Sequence, residues 1–85
     1  MTDLDPTRAK WPQIVADLES KITSGEFKPG RLLSAVQLET EYGVSRTTIT
    51  KAMAALRKAR FIRTEHGIGS FVTDPADRAD RAEQQ

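Results

Sequence analysis

The sequence predicts an α+β domain of the winged helix-turn-helix type: three helices, a short strand after the first of them, and a C-terminal β-hairpin as the wing. Three observations predict it. Two stretches with helical apolar spacing, one around Leu38 and one from Ile49 to Leu56, are separated by a few residues that include Gly43. Another such stretch precedes them, beginning near Trp11. Beyond Ala59 the period changes, and two β-branched and aromatic segments flank a pair of glycines.

Each element has its own warrant. Residues 1–10 read as a flexible arm. From Trp11, the residues Ile14, Val15, Leu18 and Ile22 follow the spacing of one buried helix face. Gly25 is placed to end that helix, and Pro29-Gly30 makes a turn beyond it. "RLL", residues 31–33, is a short extended piece. Ser34 then reads as an N-cap, with Gln37 three residues on to complete a capping box. The helix that follows runs to about Tyr42, burying Leu38 and Tyr42, and Gly43 breaks it.

Ser45 caps the next helix, which reaches about Ala59 and buries Ile49, Ala52, Met53 and Leu56. Thr47, Thr50, Lys51, Ala54 and Lys58 lie opposite that face, with Arg46 at its edge. "FIRTE", 61–65, and "SFVT", 70–73, are the wing strands, and "HGIG", 66–69, is their turn. The aromatic residues Trp11, Phe61 and Phe71 are expected in the core, in preference to stacking on single strands. The winged domain thus occupies residues 11–73, and 74–85 is a polar tail or the start of a linker.

At 85 residues the chain makes one domain with a modest core, too small for a large catalytic cavity, and an enzyme is not expected. Hydrophobic and charged contents of 38% and 29% are ordinary for a globular domain. The chain has no cysteine and one histidine, which leaves neither disulfides nor a zinc ligand set, and no metal or cofactor is expected. No apolar run approaches the ~20 residues of a membrane span, and the first ten residues lack a hydrophobic signal region. A cytoplasmic location without membrane contact is expected.

Net charge is only +1, but its distribution is uneven. Residues 44–66 hold six basic side chains against one acidic, whereas 11–43 and 74–85 are each acidic by two. Within the basic segment, Arg46 opens a helix, where the positive end of the macrodipole disfavours a cation by ~0.3–1 kcal/mol. A docked polyanion reverses that sign. In a helix-turn-helix the second helix enters the major groove with its N-terminal residues at base edges. There Arg46 can pair with guanine O6 and N7 or hold phosphate. Ser45, Thr47, Thr48 and the first free amides suit phosphate oxygens, and Lys51 lies further along the same face. A solvated Arg46 is the alternative. His66 reads either as a solvated turn residue or as a contact to a minor groove and its phosphates, and Gly67 allows close backbone approach.

Residues 11–72 resemble the N-terminal DNA-binding domain of the GntR (gluconate repressor) family of bacterial transcription regulators, nearest its HutC-like branch. The resemblance is carried by "SGEFKPGRLLS" (24–34), "YGVSRTTI" (42–49) and "HGIGSFV" (66–72), in the family's order and spacing. It implies a repressor or regulator that binds pseudo-palindromic double-stranded DNA as a pair. It carries Arg46 and Thr47 over as contacts at the helix start, and His66 and Gly67 as wing contacts. Ser34, Ser45, Thr48, Thr50 and Lys51 complete the expected DNA-contacting set.

The sequence departs from the family where Leu33 replaces a proline, Ala35 a glutamate and Arg60 a glycine that ends the recognition helix. Val36 and Thr50 stand where basic residues are common. Weak binding by the isolated chain is therefore expected, near the nonspecific range of ~10⁻⁴–10⁻⁶ M. The end of the recognition helix should also be less sharply capped. The core is expected to use nearly all large apolar residues from Trp11 to Val72, leaving a monomer that pairs only on DNA. The family's effector-binding domain is not expected within these 85 residues. The competing reading is a winged helix used for protein–protein assembly, with little affinity for DNA.

Overall fold

Pro12 sits in the first turn of the first helix, where a missing N–H leaves nothing unbonded. That helix, α1, spans Lys10–Thr23 and buries Ile14, Leu18 and Ile22, with Val15 half-buried. The computed structural model describes residues 4–74. The remaining elements are β1 (Leu32–Leu33), α2 (Ala35–Tyr42), α3 (Arg46–Lys58), β2 (Ile62–Glu65) and β3 (Gly69–Val72). The three helices, the short strand and the hairpin all form where the sequence places them.

No side chain caps α1 at Ala9. Instead Gln13 reaches back: its Oε1 accepts from the Asp5 amide at 2.6 Å, and its Nε2 donates to the Asp5 and Ala9 carbonyls at 3.0 Å each. The Asp5 carboxylate accepts from the Thr7 hydroxyl and amide, which hold it below the usual carboxylate range. Leu4 packs against the core, so residues expected as a free arm make these contacts with α1 and the core.

The strands form one antiparallel sheet in the order β1-β3-β2. Leu33 pairs with Ser70, and Ile62 with Val72, so these residues turn to the helices, while Leu32, Phe71 and Arg63 share the other face. α3 lies centrally, packing on α1, α2 and β2. Its buried residues are Ile49, Ala52, Met53 and Leu56, as the spacing predicts. They meet Ile14, Leu18 and Ile22 of α1, Leu38 of α2, and Phe27, Leu33, Ile62 and Val72 in one cluster.

Three expectations about the core need correction. Trp11 is 36% exposed rather than buried: it shares the stripe of Ile14 and Leu18 but stands in the first turn of α1, at the end of the buried face. Phe27, not singled out in the sequence, takes a core position instead. Its amide bonds to the Lys21 carbonyl at 2.9 Å, folding the chain back after α1. Phe61, Phe71 and Tyr42 are half-buried. Leu32, Val36 and Ile68 are exposed, so the core does not take up nearly all the large apolar residues.

The end of α3 corrects a fourth. The Arg60 amide bonds to the Arg57 carbonyl at 3.0 Å, and the Phe61 amide to the Leu56 carbonyl at 2.9 Å. These two bonds make a complete Schellman cap. Arg60 itself takes the left-handed conformation at φ 68° that glycine ordinarily supplies. The helix end is thus as sharply capped as with glycine. The strain is countered from β3: Thr73 Oγ1 donates to the Arg60 carbonyl at 2.6 Å, and the Thr73 amide to the Phe61 carbonyl at 3.0 Å.

Candidate nucleic-acid interface

The turn between α2 and α3 fixes where α3 begins. Gly43 leaves α2 at φ 65°, and the amides of Gly43 and Val44 both bond to the Glu39 carbonyl, at 2.8 and 3.2 Å. Two residues later Ser45 starts α3, its Oγ accepting from the Thr48 amide at 3.3 Å. The Thr48 hydroxyl lies 3.3 Å from the same Oγ, so the two hydroxyls are engaged with one another and with the cap. Ser34 does the same for α2, accepting from the Gln37 amide at 3.2 Å.

Thr47, Thr50 and Lys51 are exposed on the face of α3 opposite the core, as are Ala54 and Lys58. Among the described residues, Lys51 and Lys58 have no ion-pair partner. Arg46 does have one: its Nε donates to Glu39 Oε2, across the turn from α2. Nothing in the spacing of the sequence singled out Glu39. The one available signal was an acidic residue in the last turn of a helix, where the dipole disfavours it.

The wing is fastened at its base. Arg57 Nε donates to Thr64 Oγ1 at 2.9 Å, and Thr64 Oγ1 lies 3.1 Å from Ser70 Oγ across the β2–β3 register. Arg57, Arg60 and Arg63 also line a cavity of about 300 Å³ with Ile62, Thr64, Glu65 and Thr73, between the end of α3 and β2. Arg63 pairs with Glu65 and stacks over the Phe71 ring at 5.2 Å.

The wing tip is different. His66, Gly67 and Ile68 are all exposed, and the Ile68 amide closes the turn on the Glu65 carbonyl at 3.0 Å. Gly69 stands at φ 147°, a conformation that residues with a Cβ rarely adopt. The basic segment therefore resolves into three parts. Arg46 and Arg63 are ion-paired, Arg57 and Arg60 stand at the base of the wing, and Lys51 and Lys58 extend along the outer face of α3. Among the described residues, no group of three or more metal-ligating side chains comes together, and no helix is long and apolar enough to cross a membrane.

A tight turn between α2 and α3, with a hairpin fastened beside α3, defines a winged helix-turn-helix domain. The chain belongs to a family of that class: residues 11–72 match the model described as "Bacterial regulatory proteins, gntR family". It is 35% identical over 63 residues to the mannosyl-D-glycerate transport/metabolism system repressor MngR of Escherichia coli K12, covering 73% of this chain and 26% of that protein. It is 33% identical over 70 residues to the HTH-type transcriptional regulator YdhC of Bacillus subtilis 168, covering 82% of this chain and 31% of that one. The chain thus spans about a quarter to a third of these relatives.

Among solved structures, a GntR family transcriptional regulator from Listeria monocytogenes superposes with a TM-score of 0.81 at 30% identity, over 95% of this chain and 72% of that one. The DNA-binding domain of AraR, solved in complex with operator ORX1, gives 0.72 at 28% identity, over 86% of this chain and 90% of that one. The fold is that of the family's winged-helix DNA-binding domains. The family and these neighbours are transcription regulators, not enzymes.

Proposed function

We propose that this chain binds double-stranded DNA sequence-specifically in bacterial transcription regulation, with α3 in the major groove and the hairpin tip at the minor groove or its phosphates. The observation that carries the reading is the division of α3. One face is wholly core, and the other presents Arg46, Thr47, Thr50 and Lys51 to solvent, α3 itself carrying no acidic residue. A groove edged by phosphates is the surface such a face complements. That the AraR DNA-binding domain is solved in complex with an operator supports duplex DNA as the ligand. In this reading Arg46 meets base edges, Thr47, Thr50 and Lys51 hold the groove wall, and His66 and Gly67 follow the backbone. Ser34, Ser45 and Thr48 contribute mainly by fixing the helix starts, since their hydroxyls already serve the caps.

Two copies pair on a pseudo-palindromic operator, each half-site contributing one α3. The single chain binds weakly, because Val36 and Thr50 supply no charge. An NMR titration with duplex DNA at two salt concentrations tests the reading. Shifts at residues 45–51 and 65–69 that weaken as salt rises are expected. Shifts confined to residues elsewhere, or no shifts at all, would instead favour a surface for protein assembly.

A further inference from the structure

The pair between Glu39 and Arg46 joins two side chains that each oppose a local rule. Arg46 is the first residue of α3, at the positive end of that helix. Glu39 lies in the last turn of α2, at the negative end of that one, where its own carbonyl accepts the Gly43 and Val44 amides. Each charge offsets the other's misplacement. An ion pair this exposed adds little to stability, so stability alone is a poor reason to keep two residues in disfavoured places.

The geometry of the pair is asymmetric. The Glu39 side chain is 24% exposed and that of Arg46 60%, so the carboxylate is seated in the protein and the guanidinium faces out. The contact is made through Nε. A guanidinium has two edges that can grip bidentately, one of Nε with an Nη, the other of Nη1 with Nη2. Glu39 occupies the first.

We propose that Glu39 is a positioning residue for base recognition, one that leaves the Nη1–Nη2 edge of Arg46 as its free fork and discourages Arg46 from settling on backbone phosphate. This rests on the DNA-binding reading above. The free fork matches O6 and N7 of guanine. The carboxylate behind it repels phosphate, the ligand that every DNA sequence presents. Glu39 therefore lowers affinity for DNA in general and raises the preference for a guanine opposite Arg46.

The experiment uses the full chain and two probes: a randomised duplex library for selection, and a fixed unselected duplex of about one to two helical turns. Wild type is expected to enrich a guanine whose selection disappears in Arg46→Ala. Glu39→Gln should bind the unselected duplex about threefold more tightly at low salt, as gaining roughly one phosphate contact implies. Its guanine enrichment should fall about tenfold. Glu39→Asp keeps the charge but is one methylene too short to reach Nε. It should lose the guanine enrichment without gaining unselected affinity, a split that lost stability would not produce. In the free protein, the Arg46 Nε–H resonance should be protected from exchange in wild type and lose that protection in Glu39→Gln.

Unchanged guanine preference in Glu39→Gln overturns the proposal while leaving DNA binding intact. So does equal weakening on both probes. A wild-type chain that enriches no sequence overturns the DNA-binding reading and this proposal with it.

Discussion

The two ends of α3 each carry an arginine where local preference argues against one, and the fold accommodates them by different means. At the N-terminus Arg46 is disfavoured electrostatically, and a side chain from another helix, Glu39, answers it. At the C-terminus Arg60 is disfavoured sterically, at φ 68°, and the Thr73 hydroxyl and amide, donating to the Arg60 and Phe61 carbonyls, answer it. The first solution holds a cationic head out toward solvent. The second holds the main-chain carbonyl of Arg60 and fixes the corner from which the wing departs. On the proposed reading, one end of the helix is arranged for a ligand and the other for the fold.

The comparison presumes that both ends rest on the same core, and the largest expected effect tests that. Leu56 is fully buried in the last turns of α3, and Ile62 and Val72 of the sheet share its cluster. Leu56→Ala should cost ~2–5 kcal/mol of stability, through lost burial and the cavity left behind. Urea unfolding followed by circular dichroism measures it. A loss under ~1 kcal/mol would mean that α3 is held by its ends more than by its buried face.

The N-terminal arginine should behave oppositely. Arg46→Ala removes a mostly exposed side chain and an exposed ion pair and leaves the Ser45 cap intact, so stability should change by less than ~0.5 kcal/mol. Affinity for a selected duplex should fall by ~1–3 kcal/mol, as for losing one bidentate base contact. Fluorescence anisotropy on the same duplex reads the loss. A variant that unfolds more easily but binds DNA unchanged would make Arg46 a structural residue and erase the contrast between the two ends.

α2 positions Glu39, so the anchoring of α2 comes next in size. Its last residue, Tyr42, donates its hydroxyl to Asp17 Oδ2 on α1 at 2.5 Å, and Lys21 Nζ lies 3.2 Å from the same oxygen. Tyr42→Phe should cost ~1–2 kcal/mol, since the bond is to a charged acceptor that keeps its lysine. Partial burial, and then the Asp17 carboxylate, push the Tyr42 phenol above its ordinary 10.0. The folded state therefore holds the phenolic proton more tightly than the unfolded one. Its contribution is complete below pH 10 and declines as pH rises beyond that, while Tyr42→Phe lacks the decline. Parallel alkaline unfolding curves for the two proteins would show that this bond does not hold α2 to α1.

The contrast also shows what the sequence could reveal. Helix starts were legible because Ser34 and Ser45 announce themselves by type and by the polar residues after them. The buried face of α3 was legible because a central helix packed on one side must show its period. Arg46 was legible as an anomaly, but its partner was not, because Glu39 meets it only through the angle between α2 and α3. Trp11 misled for a related reason: an aromatic at the first turn of a helix can lie beside the core without entering it. Phe27 was missed because it belongs to no periodic segment, and a reversal after α1 carries it inward. Arg60 was judged by its residue type, whereas β3 supplies the bonds that hold its conformation.

The smallest effect, that of Arg60→Gly, is the one that separates strain from function at the C-terminal end. A left-handed non-glycine residue costs roughly 1–2 kcal/mol relative to one without a Cβ clash. The bonds at this corner use the Arg60 N–H and C=O, which glycine retains. Arg60→Gly should therefore relieve the strain, less the greater entropy that glycine loses on folding. A net gain of up to ~1 kcal/mol is expected. Arg60→Val should go the other way by ~1–3 kcal/mol, since a branched Cβ tolerates this conformation least. If glycine destabilises as much as valine, the backbone account of this corner is wrong, and the Arg60 side chain, which borders the cavity with Arg57 and Arg63 and which both variants lack, holds it instead. If both behave as expected and neither alters the guanine preference, the strained arginine belongs to the fold and the paired one to recognition.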